Sequence, residues 1–459
     1  MSAVRLVILL WGGLFLALGP LKPAGDGDLW WQRWLGEMIV RAHHFPTSLG
    51  METFASPGAP WVPQEWAMSI LVALSMDHGM FWMLALAVSA IPAAILFSIY
   101  LRSRAEASAE AIAVALLLCG FAFDKSFGIR AQVLGWGCFA AFCLALERRD
   151  RWCYATIPIV VLWANLHASV MIAPVIVLAR ITGTALDAGI PGLRTSRDVR
   201  ALPLVLLAIA CTPLGWHLPV YAVALAVSPI RAFIEEWQPA QLGDAAFTCG
   251  GLLIAILLFL PDPRKLFERK AESLPLLLLF VAMMSAVRNI PLFAIAAAPL
   301  AARNLDLVFP RLQRMGKRIA EMEPVASIAA CTAVALCALL LGQRHERSQL
   351  PLAAIASLAA HGVDRRVFCE NFTWCSVALG FPTLRVYMDG RCDPYPIGVW
   401  RAYISVIDVA PSWEAKLRRS GADTVIALRG DRFAVKLAAD QDWHATFRDR
   451  RYVVYVRSE

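Results

Sequence analysis

From its start to about residue 343 the chain alternates long apolar runs with short polar stretches, and after that the pattern turns mixed. The apolar runs cover roughly residues 4–21, 80–101, 110–123, 133–146, 154–166, 170–187, 201–218, 246–260, 273–286, 291–302 and 325–341. Many approach the roughly 20 residues that span a hydrocarbon core. Soluble folds do not stack such runs in succession, so the pattern predicts about eleven transmembrane helices. An apolar segment at 66–76 is too short for an easy span and is read as an interfacial helix, with Trp61, Trp66 and Trp82 as an aromatic belt. The tail reads differently. Short β-branched or aromatic runs at 366–368, 385–388, 424–428 and 452–456 predict strands, and 411–420 and 433–441 predict helices. The expected organisation is therefore a transmembrane domain over 1–343 with a large first loop at 22–79, then a small α/β domain over 344–459.

The distribution of cations orients this arrangement. With the N-terminus inside, alternate loops hold Arg5; Arg102 and Arg104; Arg148, Arg149 and Arg151; Arg180, Arg194, Arg197 and Arg200; Arg264, Lys265, Arg269 and Lys270; and Arg303, Arg311, Arg314, Lys317 and Arg318. The opposite loops hold only Lys22, Arg33, Arg41, Lys125, Arg130, Arg231 and Arg288. Cytoplasmic loops carry the excess of Lys and Arg. The sequence thus predicts an N-in/C-out membrane protein with its C-terminal domain on the extracytoplasmic side. Counting 66–76 as a span would invert every later loop.

Composition agrees. Of 459 residues 59% are hydrophobic and 17% charged, and the mean hydropathy is +0.58. The net charge of +8 does not signal nucleic acid, because the basic residues lie between apolar runs rather than in one patch. The start resembles a signal peptide, yet 19–21 is a poor cleavage site, so it reads as an uncleaved first helix. The 11 cysteines form no CxxC pair and no zinc spacing. Cys369, Cys375 and Cys392 fall in the extracytoplasmic domain, where one disulfide among the three is expected. No His-Glu-x-x-His pattern and no Gly-rich phosphate loop occurs, which argues against a metallopeptidase and against nucleotide hydrolysis.

Sorted by side, the chemically unusual residues gather on the outer face. The first loop carries Asp26-Gly27-Asp28-Leu29-Trp30-Trp31 and Gln64-Glu65-Trp66; later loops bring Arg130 with Gln132, Asn165-Leu166-His167, Glu235-Glu236-Trp237-Gln238-Pro239 and Arg288-Asn289-Ile290-Pro291. Asp26 and Asp28 read as a carboxylate base beside a sugar-stacking Trp30–Trp31 platform, against a plain Asp-Gly turn. The same two acids are candidates for a divalent cation, Mg or Mn. Arg130 and Arg288 stand in cation-poor loops and suit a phosphate oxygen pair, against interfacial snorkelling. His167 is either part of this site or a hydrogen-bonded helix-end residue. In the C-terminal domain Asp389, Arg391 and Asp393 follow a strand, and serve either as a salt-bridged turn or in acceptor recognition.

These residues resemble those of bacterial membrane glycosyltransferases of the GT-C superfamily, near the mannosyl-, aminoarabinosyl- and galacturonosyl-transferases that use polyprenyl-phosphate sugars. The carriers are the Asp26–Trp31 run, Pro60-Trp61 with Gln64-Glu65-Trp66, Arg130 with Gln132, Trp163-Ala164-Asn165-Leu166-His167, Glu236-Trp237 with Pro239, and Asp389-Gly390-Arg391-Cys392-Asp393. Gln64 departs from the more basic residue usual before Glu-Trp. The resemblance implies that Asp26 or Asp28 is the catalytic acid residue, and that outer-face arginines neutralise the phosphate of a lipid donor entering from the bilayer. Family members commonly invert the anomeric centre in one displacement, which needs one base. Substrate-binding candidates are Trp30, Trp31, Glu65, Arg130, Gln132, Asn165, His167, Glu236, Trp237 and Arg288. The expected partners are the polyprenyl-phosphate sugar, membrane lipids and an acceptor (lipid, glycan or protein) the sequence does not specify. A flippase for lipid-linked saccharide is the first alternative, but no internal repeat appears and the polar residues avoid the midplane. A noncatalytic membrane scaffold is the second, and it has no use for the Asp pair.

Overall fold

The computed structural model describes residues 2–20, 26–148, 154–259, 268–308 and 350–458. They divide into two compact units: Met1–Leu21, Trp82–Ala226 and Ile234–Arg344 form the first, and Lys22–Phe81, Val227–Phe233 and His345–Glu459 the second.

The first unit is helical. Its elements are α1 (Ser2–Leu18), most of α4 (Phe81–Ser103), α5 (Ala109–Asp124), α6 (Ala131–Glu147), α7 (Thr156–Leu166), α8 (Ile172–Thr195), α9 (Arg197–Ile209), α10 (His217–Ala226), α11 (Leu253–Phe259), α12 (Lys270–Ser285) and α13 (Ile290–Val308). The helices pack through small residues. A Cβ on Gly120 would fall 1.9 Å from the Trp11 indole, so only glycine lets α1 seat its tryptophan against α5. Ser108 caps α5 by accepting from the Ala111 N–H at 3.2 Å. Among the described residues three segments are long and apolar enough to cross a membrane: Phe81–Ser103, Ala168–Thr195 and Val287–Val308. Shorter apolar helices fill much of the remainder.

Two expected spans are interrupted. The run 201–218 breaks between α9 and α10, where Pro213 lacks an N–H and Gly215 takes a left-handed φ of 51°. The run 246–260 begins as a π-helical turn, Ala246–Leu252, before α11. The run 325–341 lies outside the described residues.

The second unit joins the first loop to the C-terminal domain. Helices α2 (Asp28–Arg41) and α3 (Trp66–Asp77) lie together, because Gly36 has no Cβ to strike the Ser69 carbonyl; one would come within 2.1 Å. The tail contributes α14 (Leu352–Ala360), β1 (Arg365–Cys369), β2 (Leu384–Val386), α15 (Ile397–Ile407), α16 (Trp413–Ser420), β3 (Thr424–Leu428), α17 (Arg432–Ala439), β4 (Trp443–Arg448) and β5 (Tyr452–Arg457). The sheet order is β2-β1-β3-β5-β4, with β1 parallel to β2 and β3 and the β3–β5 and β5–β4 pairs antiparallel. The exposed edge of β2 is covered by the first loop. The Phe54 N–H donates to the Val386 carbonyl at 3.0 Å, and the Val386 N–H to the Glu52 carbonyl at 2.9 Å. Trp31, Leu35 and Trp61 of the loop share one apolar core with Ile355, Val367, Leu379, Val386 and Val454. The boundary expected at residue 343 had grouped this loop with the spans. Hydrophobic contact groups it with the sheet.

The expected strands and helices of the tail appear within a few residues, whereas α14, α15 and β4 had no expectation. A disulfide joins Cys369 to Cys375, and Cys392 is not part of it.

Candidate active site

Two constellations hold the residues singled out from sequence, one in each unit.

In the second unit Asp26 and Asp28 flank the start of α2. The Asp26 carboxylate accepts from the Asp28 N–H at 3.0 Å, an Asx-type turn that fixes where the helix begins. The Asp28 Oδ1 accepts from the Trp31 indole N–H at 3.2 Å, one helical turn on. A Cβ on Gly390 would come within 2.9 Å of that same Oδ1 and of the Ser376 hydroxyl. Glycine at 390 is therefore what leaves room for the Asp28 carboxylate. Gln32 donates to Glu65 at 2.6 Å, and Gln64 to the other Glu65 oxygen at 3.0 Å. The expected tryptophan platform is only partly available. Trp31 is 8% exposed, with its ring edge-on to Trp61 and its N–H on Asp28, so it orients the acid from within the core. Trp30 is half-buried.

Behind this lies an ion-pair knot. The Arg391 guanidinium donates from Nε and Nη2 to both oxygens of Asp389 at 2.9 and 2.6 Å, and from Nη1 to Glu52 at 3.0 Å. It lies over the rings of Trp34 and Trp61 at 4.9 and 4.8 Å. The Tyr395 hydroxyl donates to Asp389 at 2.8 Å. Both charged side chains of the Asp389–Arg391 pair are fully buried. Of the two uses left open by sequence, the geometry matches the salt-bridged turn. Asp393 remains half-buried beside it.

In the first unit, four separate segments meet. Arg130, at the N-cap of α6, donates to Glu236 at 2.5 Å. The adjacent Trp237 lies under the Arg288 guanidinium, 5.0 Å from its ring centre. The Arg288 carbonyl is 3.5 Å from the Gln132 amide, and its Nη2 is 3.5 Å from His167 Nε2. His167 is 4% exposed and ends α7. Its Nδ1 accepts from the Ser169 N–H at 3.1 Å, which puts the ring proton on Nε2, facing Arg288. Burial first, and the Arg288 cation second, push its pKa down to about 3, so the ring is neutral at physiological pH. Arg130, Gln132, His167, Glu236, Trp237 and Arg288 are thus brought together. Asn165 instead donates to the Val161 and Cys211 carbonyls, bracing the end of α7.

Some polar groups gave no sequence signal. Asp244 is one: it pairs at 2.6 Å with Lys125, an outer-loop cation beside this cluster. Glu370, just past β1, accepts from the Leu428 N–H at 2.5 Å, and burial with the neighbouring Asp431 carboxyl raises its pKa to about 8. An acid whose folded pKa exceeds its unfolded value of 4.5 binds its proton more tightly when folded. Its contribution to stability is complete below pH 4.5 and is lost as pH rises through 8. The thermal midpoint of the full chain in detergent should fall across this window, and Glu370→Gln should flatten the fall. Equal slopes for both proteins would refute the assignment.

Among the described residues no group of three or more His, Cys, Asp or Glu side chains is placed to hold a metal ion. Asp26 and Asp28 would supply two carboxylates to a divalent cation.

No family model matches the sequence, and no curated protein matches it significantly. Solved structures do. The oligosaccharyltransferase AglB from Archaeoglobus fulgidus, in complex with an inhibitory peptide and a dolichol-phosphate, aligns over 93% of this chain and 69% of its own, with a TM-score of 0.58 at 12% identity. The same enzyme in complex with Zn and sulfate gives a TM-score of 0.57 at 12% identity, over 92% of this chain and 68% of that one. ArnT from Cupriavidus metallidurans, bound to undecaprenyl phosphate, aligns over 99% of this chain and 97% of its own, with a TM-score of 0.52 at 15% identity. Both proteins are GT-C membrane glycosyltransferases, and this chain has their fold.

Proposed function

We propose that the protein transfers a sugar from a polyprenyl-phosphate donor to an acceptor hydroxyl at the periplasmic face of a bacterial inner membrane. The observation that carries this reading is the convergence of Arg130, Gln132, His167, Glu236, Trp237 and Arg288 from four chain segments. Arg288 and the neutral Nε2–H of His167 present two donors side by side, the chemistry that suits a phosphate oxygen. Likeness to folds solved with dolichol-phosphate and undecaprenyl phosphate supports the donor class.

In the proposed reaction an Asp28 oxygen takes the proton of the acceptor hydroxyl as its oxygen bonds to the anomeric carbon. The bond from that carbon to the phosphate oxygen breaks, and polyprenyl phosphate leaves with the electron pair. Its charge is stabilised by Arg288 and Arg130. One base and one displacement invert the anomeric centre. Asp26 orients the loop, and Glu65 with Gln32 and Gln64 supports the acceptor side. The two aspartates would be the ligands of a divalent cation, Mg or Mn, which removal by a chelator tests. The sugar is a hexose or a pentose.

Membranes containing the protein should transfer label from a polyprenyl-phosphate sugar. Arg288→Gln should raise the KM for donor roughly tenfold or more, the loss of one charge-assisted hydrogen bond. An unchanged KM would remove Arg288 from the phosphate site.

A further inference from the structure

A cavity of about 710 Å³ opens among α4, α6, α8, α9, α12 and α13, far from the cluster described above. Arg130 and Glu147 stand at opposite ends of α6, which places the cavity about 25 Å along the helix at ~1.5 Å per residue. Arg288 precedes α13 and Arg303 lies near its far end, with the same consequence. The volume falls in the range of small-ligand pockets.

The lining has two characters. Among the described residues six arginines face four carboxylates, leaving an excess of positive charge. Arg102 is the buried anchor: its side chain is 5% exposed, Nη2 meets Glu147 at 2.6 Å and Nη1 donates to the Ile295 carbonyl at 2.7 Å. Arg180 gives only its Nε to Asp198, at 3.0 Å, so among the described residues its two terminal nitrogens carry no protein partner. The remaining wall is apolar, with Phe139, Leu279 and Leu300. Water would satisfy the arginines but not that wall. A free anion would satisfy one and ignore the other. An amphiphile with an anionic head matches both.

We infer that this cavity binds the phosphate of an anionic glycerophospholipid, with Arg180 and Arg197 on the headgroup and a chain along the Phe139–Leu279–Leu300 wall. Basic pockets between transmembrane helices take such headgroups. The loops at this end are the ones rich in arginine, at the opposite ends of α6 and α13 from Arg130 and Arg288. The inference is therefore independent of the proposed transfer chemistry.

The test uses the full chain, purified in detergent and mixed with phosphatidylglycerol or phosphatidylcholine, with bound lipid counted by native mass spectrometry. Phosphatidylglycerol should be retained over phosphatidylcholine, and Arg180→Gln or Arg197→Gln should each weaken it roughly fivefold. Arg104→Gln removes an exposed charge of the same loops that does not line the cavity, and should leave retention unchanged. Should Arg180→Gln fail to fold, Arg197→Gln gives the same reading, and the charge-retaining Arg180→Lys should keep most of the retention. Equal losses in the Arg104 variant would reduce the effect to surface charge and overturn the site. Displacement of the lipid by millimolar inorganic phosphate would make it a free-anion site and overturn the lipid assignment.

Discussion

Asp28→Asn is expected to lower sugar transfer by roughly 10²–10⁴-fold, the usual contribution of a positioned general base. The fold should survive, because an asparagine carbonyl still accepts from the Trp31 indole that now meets Oδ1 at 3.2 Å. Donor KM should change little, since the lost group acts on the acceptor proton. Asp26→Asn should cost much less. Its oxygen accepts from the Asp28 N–H, and an amide carbonyl can do the same. Initial rates of labelled-sugar transfer in membranes, with expression matched, measure both. Full transfer by Asp28→Asn would remove the catalytic assignment, and the larger loss at Asp26 would exchange the two roles.

Arg391→Ala is the second large effect, and it concerns stability. Removing one partner of a buried ion pair costs about 3–5 kcal/mol, because the other charge is left uncompensated. Asp389 is 0% exposed and, among the described residues, would keep only Tyr395 as a side-chain partner. A domain with a total stability of about 5–15 kcal/mol does not carry such a loss easily. The damage should reach the first loop too, since Arg391 also holds Glu52 and stacks on Trp34 and Trp61. Limited proteolysis should show cleavage in both 26–81 and the C-terminal domain, together with a lower melting midpoint. A variant that melts normally yet loses transfer would return Arg391 to acceptor recognition.

Much of the candidate site was legible because its residues are costly in their setting. Arg130 and Arg288 stood out as cations in cation-poor loops, and the structure joins them through Glu236 and Trp237. Asp26 and Asp28 stood out as paired acids at a helix start, and they hold the turn that begins α2. Other assignments depended on information no local window holds. Trp31 looked like a ligand platform because burial cannot be read from an exposed-loop pattern. Glu370 gave no signal because its pKa depends on Asp431, which reaches it only through sheet pairing.

By itself the sequence determined the apolar runs, the cation bias between loops, the strands with β-branched residues and the chemical character of each loop. These are local properties, set by side-chain transfer energies and backbone preferences over a few residues. Only the tertiary structure decided that 26–81 completes the edge of the C-terminal sheet, that Cys369 rather than Cys392 pairs with Cys375, and that Gly390 must be glycine because Asp28 lies against it. Each of those depends on atoms distant in sequence coming within a few ångströms, and contact at that range is fixed by close packing of the whole unit rather than by any segment within it.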